Sequence, residues 1–372
     1  MAISIVRYEE AHVEAVKRLN ARLAAAGETW RFPERTQSRW LPDDAGEEIV
    51  EHYFVAVDGE EVRGGYVLKW QPFWTSSGLQ KVCTLYLPLS EGIINPAFKL
   101  LGLTLVRDAL KRNSLAFCLG MGGAARPLPQ TLKMLGWQVH DVPFYYLPLR
   151  AGPFLKHLRP LQTRKPVRLA AHIAAATGLG ALGLAVMKAF RRASSAVRAA
   201  VSFEQVDRFD AWSDDVWLAA RDAYSLCADR SMQSLNRLYP RGDGENRLVV
   251  VREGGKVTGW FVARSRAMKA HKYFGDMRVG SLIDGMALPG HETAVCWAAR
   301  CFLDHCGSDI IVCNMQHAAW REGMRASGWL SGPSNFALAA SPKLAAAVGE
   351  PYAARVDKAH FLRGDGEGPT HL

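Results

Sequence analysis

The stretch YFVAVDGEEVRGGYVLKW, Tyr53 to Trp70, returns in altered form as RLVVVREGGKVTGWFVARS, Arg247 to Ser265. Each is a β-rich apolar run, a short charged turn containing Gly, and a second β-rich run, which predicts a β-hairpin. Working outward, the match continues in order. An apolar run, a helical stretch, a short strand and a helix ending in Gly-Trp follow the first hairpin as KVCTLYLPL, FKLLGLTLVRDALKR, LAFCLGM and LPQTLKMLGW. The second hairpin is followed by GSLIDGMAL, HETAVCWAARCFLDHC, DIIVCNM and HAAWREGMRASGW. Val62 to Gly136 spans 74 positions and Val257 to Gly328 spans 71. Order and spacing are both kept, so the chain reads as a tandem duplication of one α/β unit.

Length and composition agree with two folded units. The chain has 372 residues, 49% of them hydrophobic and 22% charged, and a chain this long divides into domains of roughly 150 residues. Seven scattered cysteines without a CxxC pair exclude a disulfide framework and point to a reducing compartment, hence the cytoplasm. The opening MAISIVRYEEAHVEAVKRLN reads as a strand and an amphipathic helix, with no secretory signal visible.

The charge is unevenly placed. Between Arg150 and Phe203 stand ten Lys or Arg and no Asp or Glu, while the whole chain carries a formal +10. All of the net charge therefore belongs to this middle segment. Within it, Leu169 to Met187 is an apolar run whose length just reaches that of a membrane span. Basic residues flank both ends, giving no positive-inside asymmetry, and one crossing would put two copies of a duplicated unit on opposite sides of a bilayer. Four readings stay open: a helix in the interface of an anionic membrane, a buried helix, a re-entrant hairpin broken at Gly178, Gly180 and Gly183, and an Ala-rich linker with a solvated basic face. The charge favours the interfacial helix, since anionic headgroups offset such cations. Nucleic acid is disfavoured, because the basic residues alternate with Ala, Gly and Leu rather than with stacking aromatics.

The repeated order of elements, the LGW and SGW helix ends and the following QVHDVPFYYLPLR resemble the GNAT N-acyltransferase fold. The resemblance covers about 1–150 and 202–345. It implies an α/β protein of two tandem GNAT-like domains, each a mixed central sheet flanked by helices, joined by a basic, apolar helical linker. The expected boundaries are 1–150, linker 151–201, 202–350 and a C-terminal tail 351–372, whose Gly-rich LRGDGEGPTHL reads as disordered.

The family holds the pyrophosphate of acyl-CoA on backbone N–H groups at a helix start, in a loop of pattern R/Q-x-x-G-x-G/A. The resemblance puts KLLGLT there: Lys99, Leu100, Leu101, Gly102, Leu103 and Thr104. It keeps the central Gly but has Lys for Arg or Gln and Thr for the last small residue, and an amphipathic helix with one internal Gly is the alternative reading. The second copy lacks the motif in LPGHETAVCWAAR. It offers Asp284, an acid in an apolar strand where such enzymes place the base that deprotonates an amine; a structural pair with Arg or a backbone N–H is the alternative. Tyr145 and Tyr146 fall on a late strand, where a hydroxyl can protonate a leaving thiolate or sit satisfied in an aromatic core. Asn314, with His317 at the next helix start, is a cap or a cofactor-edge contact. Cys301, His305 and Cys306 read as residues of a packed helix rather than a metal site, so no metal is expected.

These readings imply an acyltransferase that moves an acyl group, acetyl foremost, from acetyl-CoA or another acyl-CoA to an amine. The pattern around Asp284 also looks like that of tandem GNAT proteins associated with bacterial surface polysaccharide synthesis. That implies a small-molecule or lipid-linked acceptor in the cell envelope, and a cytoplasmic protein peripheral on the inner face of the membrane through 150–201. Two alternatives stand beside it. One is an enzyme like the peptidyltransferases that take their acyl group from aminoacyl-tRNA; the other is a membrane-docked scaffold that has lost the cofactor loop in both copies.

Overall fold

The computed structural model describes residues 3–41, 46–158, 200–242 and 244–366. The first half of the chain forms β1 (Ser4–Arg7), α1 (Val13–Ala25), β2 (Val50–Asp58), β3 (Glu61–Thr75), β4 (Gly78–Ser90), α2 (Leu101–Arg112), β5 (Ala116–Gly120), α3 (Pro127–Met134), β6 (Gln138–Asp141), β7 (Phe144–Pro148) and α4 (Ala151–His157). The second half forms β8 (Val201–Val206), α5 (Ala211–Ala220), β9 (Leu226–Ala228), α6 (Met232–Leu238), β10 (Arg247–Glu253), β11 (Lys256–Ala267), β12 (Arg278–Ala287), α7 (Glu292–His305), β13 (Ile310–Asn314), α8 (Ala318–Ala326), β14 (Leu330–Gly332), β15 (Ala337–Ala340), α9 (Pro342–Val348), α10 (Tyr352–Val356) and β16 (Ala359–His360).

The chain divides into two compact units: Met1–Asp141 with Asn335–Tyr352, and Val142–Ser334 with Ala353–Leu372. The sheet of the first unit runs β1-β2-β3-β4-β5-β15-β6, and that of the second β14-β7-β13-β12-β11-β10-β8. Each late strand thus joins the sheet built by the other half of the sequence. β15 lies between β5 and β6, and β7 between β13 and β14. The units therefore divide at 141/142, 334/335 and 352/353, where sequence similarity suggests 150 and 350. The apolar segment Leu169–Met187 and eight of the ten cations around it lie outside the described residues.

Both hairpins expected from the sequence form. Asp58 faces Glu61 and Glu253 faces Lys256 across two-residue turns. In the second, Gly254 and Gly255 take φ of 55° and 82°, the left-handed pair that a type I′ turn requires and that matches strand twist. A second glycine requirement recurs in both copies. A Cβ on Gly64 would stand 2.5 Å from the Leu89 carbonyl oxygen, and one on Gly259 the same distance from that of Met286. Glycine there lets the hairpin strand approach the end of the next strand.

Period-two alternation explains the layers of the first unit. Phe54, Ala56, Tyr66 and Leu68 enter a core with Leu101, Leu105 and Val106 of α2, Leu132 of α3, and Trp137. Their neighbours Tyr53, Val55 and Val67 point the other way, into a core with Val13, Val16, Leu19 and Leu23 of α1. The 3–4 spacing of those α1 residues is that of a helix buried along one stripe. In the second unit α7 packs on β10, β11 and β12. Its α8 comes close enough that a Cβ on Gly323 would stand 2.9 Å from the Glu292 carbonyl carbon.

Candidate active site

Along the main strand order of each sheet one pair of neighbours is parallel, and in each the pairing is short. β4 and β5 pair only at Cys83 with Ala116 and Thr84 with Phe117. β12 and β13 pair at Val279 with Ile310, Gly280 with Ile311 and Ser281 with Val312. Just beyond, each longer strand bulges: Leu87 and Pro88 stand opposite Tyr66, and Ile283 is the extra residue of β12. Bulges re-aim the backbone and accumulate beside active sites. Leu87 is left with φ of 49°. Each sheet thus parts in the middle, before the helix that follows the longer strand.

In the first unit the parted strands are partly open. Tyr86, Leu87 and Pro88 on β4, Gly120 at the end of β5 and Met121 after it are half-buried. Gly120 to Gly123 all take positive φ, a glycine loop that the reading of LAFCLGM passed over. The chain leaves β4 through a 3₁₀ turn at Glu91–Ile93 and another at Pro96–Phe98. Glu91 is buried and accepts from both Arg22 (2.8 and 3.0 Å) and Arg63 (3.3 Å). Phe98 lies under the Arg63 guanidinium at 4.8 Å. This network fixes the entry to α2.

KLLGLT occupies the start of that helix. Lys99, Leu100 and Thr104 are exposed, Leu101 is buried, and Gly102 and Leu103 are intermediate. The helical ladder begins with Thr104 N–H to Leu100 O at 3.1 Å, which leaves the earlier N–H groups of α2 for an anion. A Cβ on Gly102 would meet only Ser90 Cβ, at 3.9 Å. Open space, free donors and the Lys99 cation fit a pyrophosphate.

The second unit is different at each equivalent place. Leu282 through Ala287 and Cys313 through His317 are all buried. The chain's own C-terminal segment lies against both parted strands. His360 Nε2 donates to Gly285 O (2.8 Å), Gln316 N–H donates to Phe361 O (3.2 Å), and Arg363 Nε donates to Asn314 Oδ1 (3.0 Å). A Cβ on Gly364 would stand 3.2 Å from Ile283 O. Here the expected disorder of LRGDG is corrected: Arg363–Asp365 is a 3₁₀ turn, and Leu362, Gly364 and Asp365 are buried. At the start of α7, buried Glu292 puts a carboxylate where an anion would have to enter.

Asp284 lies within this filled region. It is 1% exposed, and its Oδ1 accepts from Arg230 Nε (3.1 Å), Arg230 Nη2 (3.0 Å) and Gly285 N–H (2.8 Å), while Oδ2 accepts from Tyr239 OH (2.7 Å). Arg230 also binds Asp365 at 2.6 Å, and Asp365 Oδ2 accepts from Leu362 N–H. Burial pushes the Asp284 carboxyl up to about 6 against the pull of Arg230, with Asp365 adding to the rise. A base must reach its amine, and both oxygens here are taken by protein donors. Asp284 is bonded as in the buried-pair alternative, to an Arg and a backbone N–H. Nothing in the sequence around Arg230 or Tyr239 marks them as its partners.

The other candidates are dispersed. Tyr145 lies on β7 of the second unit, buried, its phenol raised by burial against nearby Arg325 and Arg321. Tyr146 is in the same strand, stacked with Phe144. Asn314 ends β13, and its amide oxygen accepts from Arg363 Nε. The Lys99–Thr104 loop and the residues Asp284, Tyr145 and Asn314 fall in different units. His305 Nδ1 lies 2.8 Å from Cys301 O within α7. Among the described residues, no three His, Cys, Asp or Glu side chains are grouped to hold a metal ion.

Comparison with solved structures decides the fold. A conserved Enterococcus faecalis protein of unknown function, described as a probable N-acyltransferase, superposes with a TM-score of 0.50 at 10% identity, over 92% of this chain and 74% of that one. Saccharomyces cerevisiae N-myristoyltransferase with bound myristoyl-CoA superposes with a TM-score of 0.52 at 9% identity, over 91% and 78%. The chain has a fold of two tandem GNAT-like units. The two GNAT-like units are thus unequal versions of one plan, with parted strands accessible in the first and covered in the second. No protein-family model matches the sequence, and no curated protein does.

Proposed function

We propose that this chain is an acyl-CoA-dependent N-acyltransferase that holds its donor in the first unit. The observation that carries the reading is the contrast between the parted strands: Tyr86–Pro88 half-buried beside an α2 start with free N–H groups, Leu282–Ala287 fully buried under the C-terminal segment. The pyrophosphate lies on the N–H groups of Leu101, Gly102 and Leu103 beside Lys99, and the thioester arm follows the parted edge of β4. An acceptor amine attacks the thioester carbonyl carbon and loses its proton, and the CoA thiol departs. Backbone N–H groups of the parted strand stabilise the oxyanion at little reorganisation cost.

The second unit is the supporting copy in this reading, and Asp284 anchors its C-terminal segment. The acyl group is acetyl or longer. The acceptor is an amine of a cell-envelope or polysaccharide precursor, met on the inner face of a membrane to which the cationic stretch 150–201 is drawn. Among the described residues no helix is long and apolar enough to cross a membrane; the assignment of the stretch to the bilayer surface rests on its charge alone.

Calorimetric titration with acetyl-CoA and with a long-chain acyl-CoA tests the donor. Saturable binding, lost in Gly102→Glu, is the expected result; the variant puts a carboxylate into the space beside Ser90. Absence of binding by the native protein to either thioester overturns the reading and leaves the aminoacyl-tRNA and scaffold alternatives.

A further inference from the structure

The β11–β12 connection, residues 268–277, carries a feature that the acyl-transfer reading does not use. Its inner side is apolar. Phe274 and Met277 are buried with Val279, Ile310 and Val312, and Met268 together with Phe154 and Leu158 pack against them. The connection is pinned by reciprocal bonds between the backbones of His271 and Gly275 (3.0 and 2.9 Å). His271 stacks on Phe274 with ring centres 5.2 Å apart. A Cβ on Gly275 would stand 2.8 Å from the His157 carbonyl oxygen, so the tip rests on the end of α4.

The outer side is cationic and aromatic. Lys269, Lys272 and Tyr273 are exposed, Tyr273 by 42%, and Lys272 Nζ lies 5.0 Å from the centre of the Tyr273 ring. The single acid of the connection, Asp276, accepts the Ala270 N–H at 2.7 Å, which turns part of its charge toward the backbone. Lys156 adds an exposed cation from α4. The chain leaves this place at Leu158 for residues 159–199, which hold eight more Lys or Arg, no acid, and the apolar run. Lysines around an amphipathic ring, on a rigid apolar base, are the residue types that meet a bilayer interface: the cations take the headgroups and the ring lies between water and lipid.

We propose that the tip Lys269–Tyr273, with Lys156, is a docking surface for an anionic lipid bilayer. The proposal rests on the membrane reading above and adds to it a second, rigid contact, which fixes the second unit's orientation at the surface. RNA is the competing polyanion. One exposed ring and three lysines lack the series of stacking side chains that single strands use.

Sedimentation with large unilamellar vesicles tests it on the full-length protein. Vesicles of phosphatidylcholine alone are compared with vesicles containing about one third phosphatidylserine, for native protein, Lys269→Glu/Lys272→Glu, Tyr273→Ala, and Lys343→Glu, a lysine of α9, as control. The native protein and the control should bind the anionic vesicles alike. The double variant should lose about twentyfold or more, at roughly fivefold for each lysine removed, and Tyr273→Ala should lose a few-fold. Equal melting temperatures show that these exposed changes leave the fold intact. If the native protein ignores anionic vesicles, the membrane reading and the tip fall together. If it binds them and the double variant binds equally well, the tip proposal alone is overturned. If the double variant loses affinity for tRNA but not for vesicles, the surface belongs to RNA and the proposal is again overturned.

Discussion

The two units apply one plan to opposite ends. In both, a long central strand pairs with its parallel neighbour for two or three residues, bulges, and leads to a helix. In the first, the bulge stays half-buried and the helix opens with Lys99, Gly102 and free N–H groups. In the second, the same interval is covered by 360–365, and the helix opens with a buried carboxylate, Glu292. What separates a ligand site from a structural joint in this fold is therefore a few groups laid into the opening, rather than the sheet itself. A duplicated chain can keep one opening and fill the other without altering the topology.

Breaking the joint in the second unit should have the largest effect. Arg230→Ala leaves Asp284 and Asp365 buried without their shared cation, a change that costs about 3–5 kcal/mol. Urea denaturation should show that loss. A change under about 1 kcal/mol would mean that the cluster does not hold the C-terminal segment.

Acid should act next, and on the same unit. Burial, aided by Arg321 and Lys358, lowers His317 to about 4, and burial, Arg230 and His317 lower His360 well below its ordinary value. The folded state then binds fewer protons than the unfolded one. Stability is fully present above pH about 6.5 and is lost as pH falls toward 4, by roughly 3 kcal/mol from His317. Asp284 works in the opposite sense. Its folded carboxyl is raised to about 6, so its contribution falls as pH rises from about 4 to about 6 and offsets part of the histidine effect. Hydrogen exchange at pH 7.5 and 5 should show the second unit loosening before the first. The reverse order would contradict the assignment.

Asp284→Asn sharpens the comparison with the smallest change. It keeps the shape and removes one charge-assisted partner, at a cost of about 1–3 kcal/mol, and it should steepen the acid loss. Acyl transfer should stay within a few-fold of the native rate. Loss of a catalytic base would instead lower the rate by about a hundredfold or more, and such a fall would return Asp284 to the active site.

What could be read in the sequence follows from the range over which each signal acts. The hairpins rest on alternation and turn glycines within twenty residues, and both form where expected. The Gly64 and Gly259 equivalence and the buried Trp137 and Trp329 also follow the repeat. The exchange of β7 and β15 does not, because β5 and β13 offer similar apolar edges and local pattern cannot choose between them. Alanine on its own favours helix, yet Ala337–Ala340 pairs on both sides as a strand; burial overrides propensity there. The candidate site was half legible. The α2 start could be found by its Gly and its position after an apolar run. Arg230, Tyr239, His360 and Asp365 could not: the first three meet Asp284 or its neighbour Gly285, and Asp365 meets Arg230, only through long-range packing. The segment LRGDG looks disordered by composition because its polar groups are matched by partners far away in sequence.

The most direct test of the division between the units is hydrogen exchange with and without a saturating acyl-CoA. Amides of 85–90 and 101–106 should slow by about tenfold or more, equivalent to roughly 1.4 kcal/mol of added protection, while those of 282–287 and 292–297 should not change. Slowing confined to the second set would place the donor in the unit described here as filled, and would contradict the account.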